Sequence, residues 1–378
     1  MRKLLLALTL IALTGTATIA EDTKAAKIEK KEAPKKKAAP QKPKLEITLR
    51  TGDAAPALKA DKWMLGDEVK SFESGKVYVV EFWATWCGPC IVMMPHLGDL
   101  QEKFKNKGVT VVGYSAKDPN NSEEKVATFV QKRGPKLGYT FAFSEDRDTY
   151  KSWMTAAGRN GIPCSFVVDK SGKLAYIGHP MYLDVVLPRV VSGEWKTKED
   201  NEKIEGLEKE VSAMFAKIRG KDGLQALEEF EAKHPEMTEI PYFLGPKLTK
   251  LVEAGKTKEA SKMAKSMIAK AGKRDDTMAL RSVSAALRTC ATSDKEDVKA
   301  LFSHATEAAE KMVQLAGDKD YGALSNLAET YLATKTDEGK EKGLRIMKQA
   351  IEAAPSPAIK KMLQNRMDTL NGKPKDKD

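Results

Sequence analysis

Beyond its first twenty residues, this 378-residue chain has no stretch approaching the roughly 18 consecutive apolar residues that span a bilayer. The mature product is therefore expected to be soluble. Cysteine is equally scarce. Four of them, Cys87, Cys90, Cys164 and Cys290, are too few for a disulfide-stapled scaffold. The four histidines, His96, His179, His234 and His304, fall in unrelated contexts with no paired spacing. Zinc needs four ligands, and no second Cys-x-x-Cys or spaced His pair complements Cys87 and Cys90, so no metal is expected.

A concentrated basic surface is missing too, despite a formal charge of +11. Arg2 and Lys3 contribute +2, and residues 21–44 carry nine Lys against four acids, a further +5. The remaining +4 is spread over 334 residues, which argues against nucleic acid as a partner. Met1-Arg2-Lys3, the apolar Leu4 to Leu13 and the small residues Thr14 to Ala20 have the layout of a secretory signal peptide over 1–20. Cleavage after Ala17 or Ala20 would export the protein, to a periplasmic or other extracytoplasmic space; an uncleaved anchor is the alternative. Residues 21–44, almost wholly Lys, Ala, Glu, Pro and Gln, cannot bury enough apolar surface to offset their ordering entropy and read as a disordered linker. A disordered tail is expected over 373–378.

What the chain does have is Trp86-Cys87-Gly88-Pro89-Cys90 directly after the apolar run Val77 to Trp83. The run reads as a buried strand, Gly-Pro as a turn, and Ile91 to Lys107 as a helix. Cys87 then falls at a helix N-terminus, where unpaired backbone N–H groups and the helix dipole favour the thiolate that attacks disulfides. Two intervening residues let Cys90 reach back and resolve the mixed disulfide.

From 45 to about 195, strand-like and helical runs alternate. Val109–Tyr114, Phe141–Phe143 and the hairpin Ser165–Asp169 with Leu174–Ile177 are expected strands; Ser122–Arg133 and Arg147–Ala156 are expected helices. That alternation means an α/β sheet covered by helices. Residues 200–372 read as helices only, in hairpins registered on Ala260, Ala305 and Gly343. The last, with Asn326 to Tyr331, Gly343, Met347, Ala350 and Pro355, resembles a tetratricopeptide repeat lengthened in its turn. Met93/Met94 and Met263/Met267 read as packing, and Cys290 as helix core.

The segment Glu81-Phe82-Trp83-Ala84-Thr85-Trp86-Cys87-Gly88-Pro89-Cys90 closely resembles the active-site segment of thioredoxin-fold proteins. Gly161-Ile162-Pro163-Cys164-Ser165-Phe166-Val167-Val168-Asp169 resembles the cis-proline loop of the same fold. The resemblance implies a cis Pro163 beside the cysteine pair, with the backbone of Ile162 free to pair with a substrate strand. Over about 150 residues, with Asp53 to Pro56 and Met94-Pro95-His96-Leu97, the chain resembles the exported TlpA/ResA-like branch. In that branch a β-hairpin precedes the core and an extra segment follows the active-site helix. Two positions depart from its pattern: Met93 replaces a frequent Glu, and Cys164 replaces a frequent Thr.

The resemblance implies a thiol:disulfide oxidoreductase whose redox centre is the Cys87–Cys90 disulfide, with no other cofactor. Trp86, Gly88, Pro89, Ile162 and Pro163 would contact protein disulfide substrates. Glu81 stands where thioredoxins keep a buried acid; it would take a proton from Cys90, or else pair with a lysine. Cys164 reads as a buried inert thiol, an auxiliary thiol, or a soft-metal ligand; a bridge to Cys290 is the outside case. Gly-Pro between the cysteines resembles reducing thioredoxins, so a membrane thiol transporter is the implied electron donor. Peroxidase chemistry of the peroxiredoxin kind is disfavoured, because Thr85-Trp86-Cys87 lacks its proline and spacing. A second reading makes the helical region a scaffold that recruits clients to a subsidiary redox domain.

Overall fold

The structure, a computed structural model, describes residues 46–371; the expected leader, linker and tail lie outside them. Six strands form one mixed sheet: β1 (Lys62–Leu65), β2 (Val77–Trp83), β3 (Val109–Ala116), β4 (Thr140–Ser144), β5 (Cys164–Val168) and β6 (Leu174–Gly178), in the order β1-β4-β3-β2-β5-β6. β2, β3 and β4 run parallel, whereas β1, β5 and β6 are antiparallel to their neighbours. Every residue of β2 is buried. A central strand covered on both faces has no polar side, which is why its sequence is a continuous apolar run rather than an alternation.

Side chains alternate across β2. Tyr78, Val80 and Phe82 enter one core with Trp153 and Phe166, while Val77, Val79 and Trp83 enter the other with helix α1 (Gly88–Phe104). The segment after α1 and β3 is α2 (Glu123–Leu137) followed by β4, which adds to the sheet parallel to β3. α2 runs past Gly134-Pro135, four residues beyond the expected Arg133, and stops where Gly138 takes φ 75°. Arg147–Ala156 forms a short helical turn, α3 (Asp148–Tyr150), continuing as a π-helix over Lys151–Thr155. The hairpin expected ahead of the core is not found among the described residues. Before β2 there is only edge strand β1, paired with β4, and an isolated bridge from Ala54 to Lys173.

After α4 (Leu183–Ser192) the described residues form helices joined by short loops: α5 (Thr197–Ile218), α6 (Gly223–Lys233), α7 (Pro241–Glu253), α8 (Thr257–Lys273), α9 (Thr277–Leu287), α10 (Glu296–Lys299), α11 (Phe302–Ala316), α12 (Tyr321–Leu332), α13 (Asp337–Ala353) and α14 (Pro357–Leu370). The helical hairpins legible in the sequence begin at Leu224 and leave α5 without a role. Its apolar residues Ile204, Leu207, Val211, Met214 and Ile218 recur at three- and four-residue steps and are buried. They belong to the same core as Cys87, Cys90 and the sheet, and Leu227, Phe230 and Phe243 of α6 and α7 extend it. Leu248, Ala260, Leu287, Ala305 and Cys290 build a second helical core, and Leu324, Ala328 and Met347 a third. At Gly343 a Cβ would come within 2.6 Å of Leu332, so α12 and α13 approach closely there.

Arg274, just after α8, ties the later helices to α1 and α2. Its Nε donates to Asp99 at 2.7 Å, its NH2 to Glu102 at 2.7 Å, and its NH1 to the carbonyls of Lys136 and Leu137. Those two carbonyls sit at the C-terminal end of α2, where a cation also complements the helix dipole.

Candidate active site

β2 ends at Trp83, and the chain turns through Ala84-Thr85-Trp86 into α1. Cys87 caps that helix, its Sγ accepting from the backbone N–H of Cys90 at 3.2 Å. Cys87 and Cys90 are joined in a disulfide and both are buried, whereas Trp86, Gly88 and Pro89 form an exposed rim. Trp86 is 55% exposed, and its indole N–H donates to Asp118 at 2.9 Å. The Ile162–Pro163 bond is cis.

The turn into the site is fixed from below by Asn121, fully buried and unremarked in the sequence. Its Oδ1 accepts from the Thr85 N–H at 2.9 Å and hydroxyl at 2.8 Å, while its Nδ2 donates to Ser115 Oγ and the Ala116 carbonyl at 2.9 Å each. Ser115 Oγ in turn donates to the Trp83 carbonyl at 3.0 Å. Each of these buried polar groups has a partner, and the network locks the end of β2 to β3.

Glu81 is 2% exposed and lies in the alternation of Val79 and Trp83, on the face of β2 that α1 covers. Its partner is Ser165, whose hydroxyl donates to Oε2; the two residues are opposite one another in the β2–β5 register. The lysine pairing weighed from sequence is not what the fold supplies. Oε1 is buried without a hydrogen-bond partner, and burial pushes the carboxyl up to about 8.

Cys164 and Cys290 are both free and buried in different cores, which removes the bridge between them. Cys164 pairs in register with Phe82 and enters the core on the opposite face of the sheet from Cys87 and Cys90. Burial pushes its thiol up to about 12, with Glu81's charge adding to the rise. Trp86, Cys87, Gly88, Pro89 and Cys90 follow one another into the start of α1, Trp86 and Ile162 line one pocket, Glu81 lies on the α1 side of the sheet, and Cys164 enters the core on the other side.

One residue to which the sequence assigns no role is bonded to the redox loop. Tyr242, in the first turn of α7, donates its hydroxyl to the Pro89 carbonyl at 2.8 Å. Its ring lies 5.5 Å from that of His179, whose burial holds it down to about 4 and therefore neutral at neutral pH. No spacing or composition signal marks Tyr242, because 153 residues separate it from Pro89.

A family model for redoxins matches residues 50–181. Protein FixW of Rhizobium leguminosarum is 31% identical over 153 residues, which cover 39% of this chain and 69% of FixW. The thiol-disulfide oxidoreductase ResA of Bacillus thuringiensis is 34% identical over 107 residues, 28% of this chain and 56% of ResA, so the chain spans about half the length of that relative. The solved thioredoxin domain of a thiol-disulfide oxidoreductase from Bacteroides vulgatus is 27% identical, covering 33% of this chain and 86% of that one with a TM-score of 0.29. None of these three matches covers more than 39% of the chain.

Proposed function

The chain belongs to the redoxin family of thioredoxin-fold oxidoreductases, and from that premise we propose that it is an exported enzyme that reduces protein disulfides through Cys87 and Cys90. The Cys87 thiolate attacks one sulfur of a substrate disulfide, and the other substrate sulfur leaves as thiolate. Cys90 then loses its proton to the ionised form of Glu81 and attacks Cys87 Sγ, which expels the second substrate sulfur. The substrate gains two electrons and the enzyme holds a Cys87–Cys90 disulfide, which a membrane thiol transporter reduces again. Trp86, Gly88 and Pro89 form the docking rim, and the backbone at Ile162-Pro163 pairs with the substrate strand. Export rests on the leader read in residues 1–20, and the reducing direction on Gly88-Pro89.

The observation that carries the mechanism is the Cys90 N–H directed at Cys87 Sγ in the disulfide, a donor that would stabilise negative charge on that sulfur once the bond is reduced. Cys87→Ser should abolish insulin reduction, and retained activity refutes the proposal. Cys90→Ser should accumulate mixed disulfides in the exported fraction.

A second reading, client recruitment by tetratricopeptide-like helices, is favoured by one feature. A cavity of about 740 Å³ lies between α1, α7 and α8, and its lining mixes Lys103, Lys247, Lys262 and Lys270 with Asp99, Asp184, Glu239 and Glu259, so it suits a client of mixed charge. The same trapping carried out with Lys262→Glu added separates the two. Loss of the trapped partners supports recruitment, and their retention supports a site that selects its substrates unaided.

A further inference from the structure

Tyr242 reaches the redox loop at one particular peptide group. Its hydroxyl donates to the carbonyl of Pro89, and the N–H of that same peptide, carried by Cys90, donates to Cys87 Sγ. The two bonds form a chain: phenol O–H to carbonyl oxygen, then amide N–H to sulfur. A hydrogen bond accepted by a carbonyl polarises its peptide and makes the N–H a stronger donor. We propose that Tyr242 is a positioning residue through which the helical region sets the thiolate character of Cys87. The inference rests on the disulfide-exchange reading above, since it concerns that reading's nucleophile.

The surroundings favour such a relay. Cys87 is 3% exposed, so little water competes for its sulfur or weakens the donor. Tyr242 keeps its proton, because burial raises its phenol above the ordinary value. α7 is itself held: Phe243, next in sequence, is fully buried in the core shared with Cys87 and packs against Phe215 and Phe230.

The titratable groups on the elements around this loop are Asp118, bonded to Trp86, Tyr242 from α7, bonded to Pro89, His179 beside Tyr242, Glu81 from β2, and the second thiol, Cys90. Glu81 is pushed up to about 8 and His179 held down to about 4. Glu81 ionises over the pH units around 8 and Cys90 also titrates in the reduced protein, so the profile is read from the label on Cys87 itself.

The strengthening of one charge-assisted bond by on the order of 10–30% corresponds to about a twofold change in thiolate fraction. The test measures iodoacetamide alkylation of Cys87 against pH in the reduced full-length protein and in Tyr242→Phe. The variant loses only the hydroxyl and keeps the ring against His179. The expected result is a profile displaced upward by about 0.3 pH, with about twofold slower alkylation on its acid side. Superimposable profiles, or a displacement downward, overturn the proposal while leaving the exchange reading in place. A parent protein whose Cys87 titrates as an ordinary thiol, near about 8.5, and fails to reduce insulin overturns both.

Discussion

Glu81→Gln replaces a buried carboxyl by a neutral group of nearly the same shape, and its effect has a sign fixed by proton counting. The folded chain raises this carboxyl from 4.5 to about 8 through burial, with the Ser165 hydrogen bond opposing the rise. Below pH 4.5 the folded and unfolded chains both hold the proton, and the buried acid costs nothing. Between 4.5 and 8 the folded chain keeps a proton that the unfolded chain has released, so stability falls as pH rises. Above 8 the full cost persists. At about 1.36 kcal/mol per pH unit, the loss across this interval is on the order of 5 kcal/mol as an upper bound. The substituted side chain carries no charge at any pH. Its amide group, placed where Oε1 already lacks a partner, adds a pH-independent cost of about 1–3 kcal/mol. Urea unfolding of the oxidised parent and variant from pH 4 to 9 should therefore give diverging curves, the variant gaining relative stability as pH rises. Parallel curves would refute the burial argument. Resolution of mixed disulfides should slow in the same variant, by up to about 10²-fold for loss of a positioned base. An unchanged resolution rate would remove Glu81 from the chemistry while leaving the stability result intact.

Arg274→Ala should destabilise the described chain by about 1–3 kcal/mol, the range for leaving buried carbonyls without their charged donor, because Arg274 is 7% exposed and serves two helix-end carbonyls, while its partners Asp99 and Glu102 are half-exposed and would be solvated. Thermal unfolding and the rate of proteolysis between α8 and α9 would register it, and a change within about 0.5 kcal/mol, as at an ordinary surface position, would show that the clamp holds nothing. Cys164→Ala should leave insulin reduction unchanged within about twofold, since the thiol lies across the sheet from the redox pair and is pushed up to about 12. Strongly reduced turnover in a folded variant would restore Cys164 as an auxiliary thiol.

The parts legible in the sequence are those specified locally. Val77 to Trp83 declares a strand buried on both faces because every position is apolar or aromatic except Glu81, and the Cys-Gly-Pro-Cys turn carries its own chemistry. Pro163 was legible by resemblance, and the fold places it in a cis bond. The partners of these residues were not legible. Ser165 meets Glu81 only once the antiparallel β2–β5 register is known. Asn121 sits in Asp118-Pro119-Asn120-Asn121, where asparagine reads as a turn former; its buried role comes from the position of Ser115 and Thr85 on other elements. Tyr242 and Arg274 look like ordinary residues of helical hairpins until those hairpins dock on α1 and α2. A helix pattern reveals its apolar face, but not which neighbour that face will meet.

That docking bears on what the helical region is for. A tethered recruiting module would meet the redox fold through a polar, separable surface, as loosely joined domains do. Here Leu227, Phe230, Ile240 and Phe243 share one apolar core with Leu97, Leu183, Leu187 and the cysteine pair. Removing the helices would expose that face of α1 and α4 to water and take the Tyr242 hydroxyl from Pro89, so the redox fold without them is a different site. Substitutions in α6 or α7 are therefore expected to act on exchange at Cys87 through packing, without touching substrate. A change such as Phe243→Ala, which empties a fully buried aromatic position, should lower stability and displace the Cys87 alkylation profile together, whereas a recruiting module would lose clients with the alkylation profile unmoved.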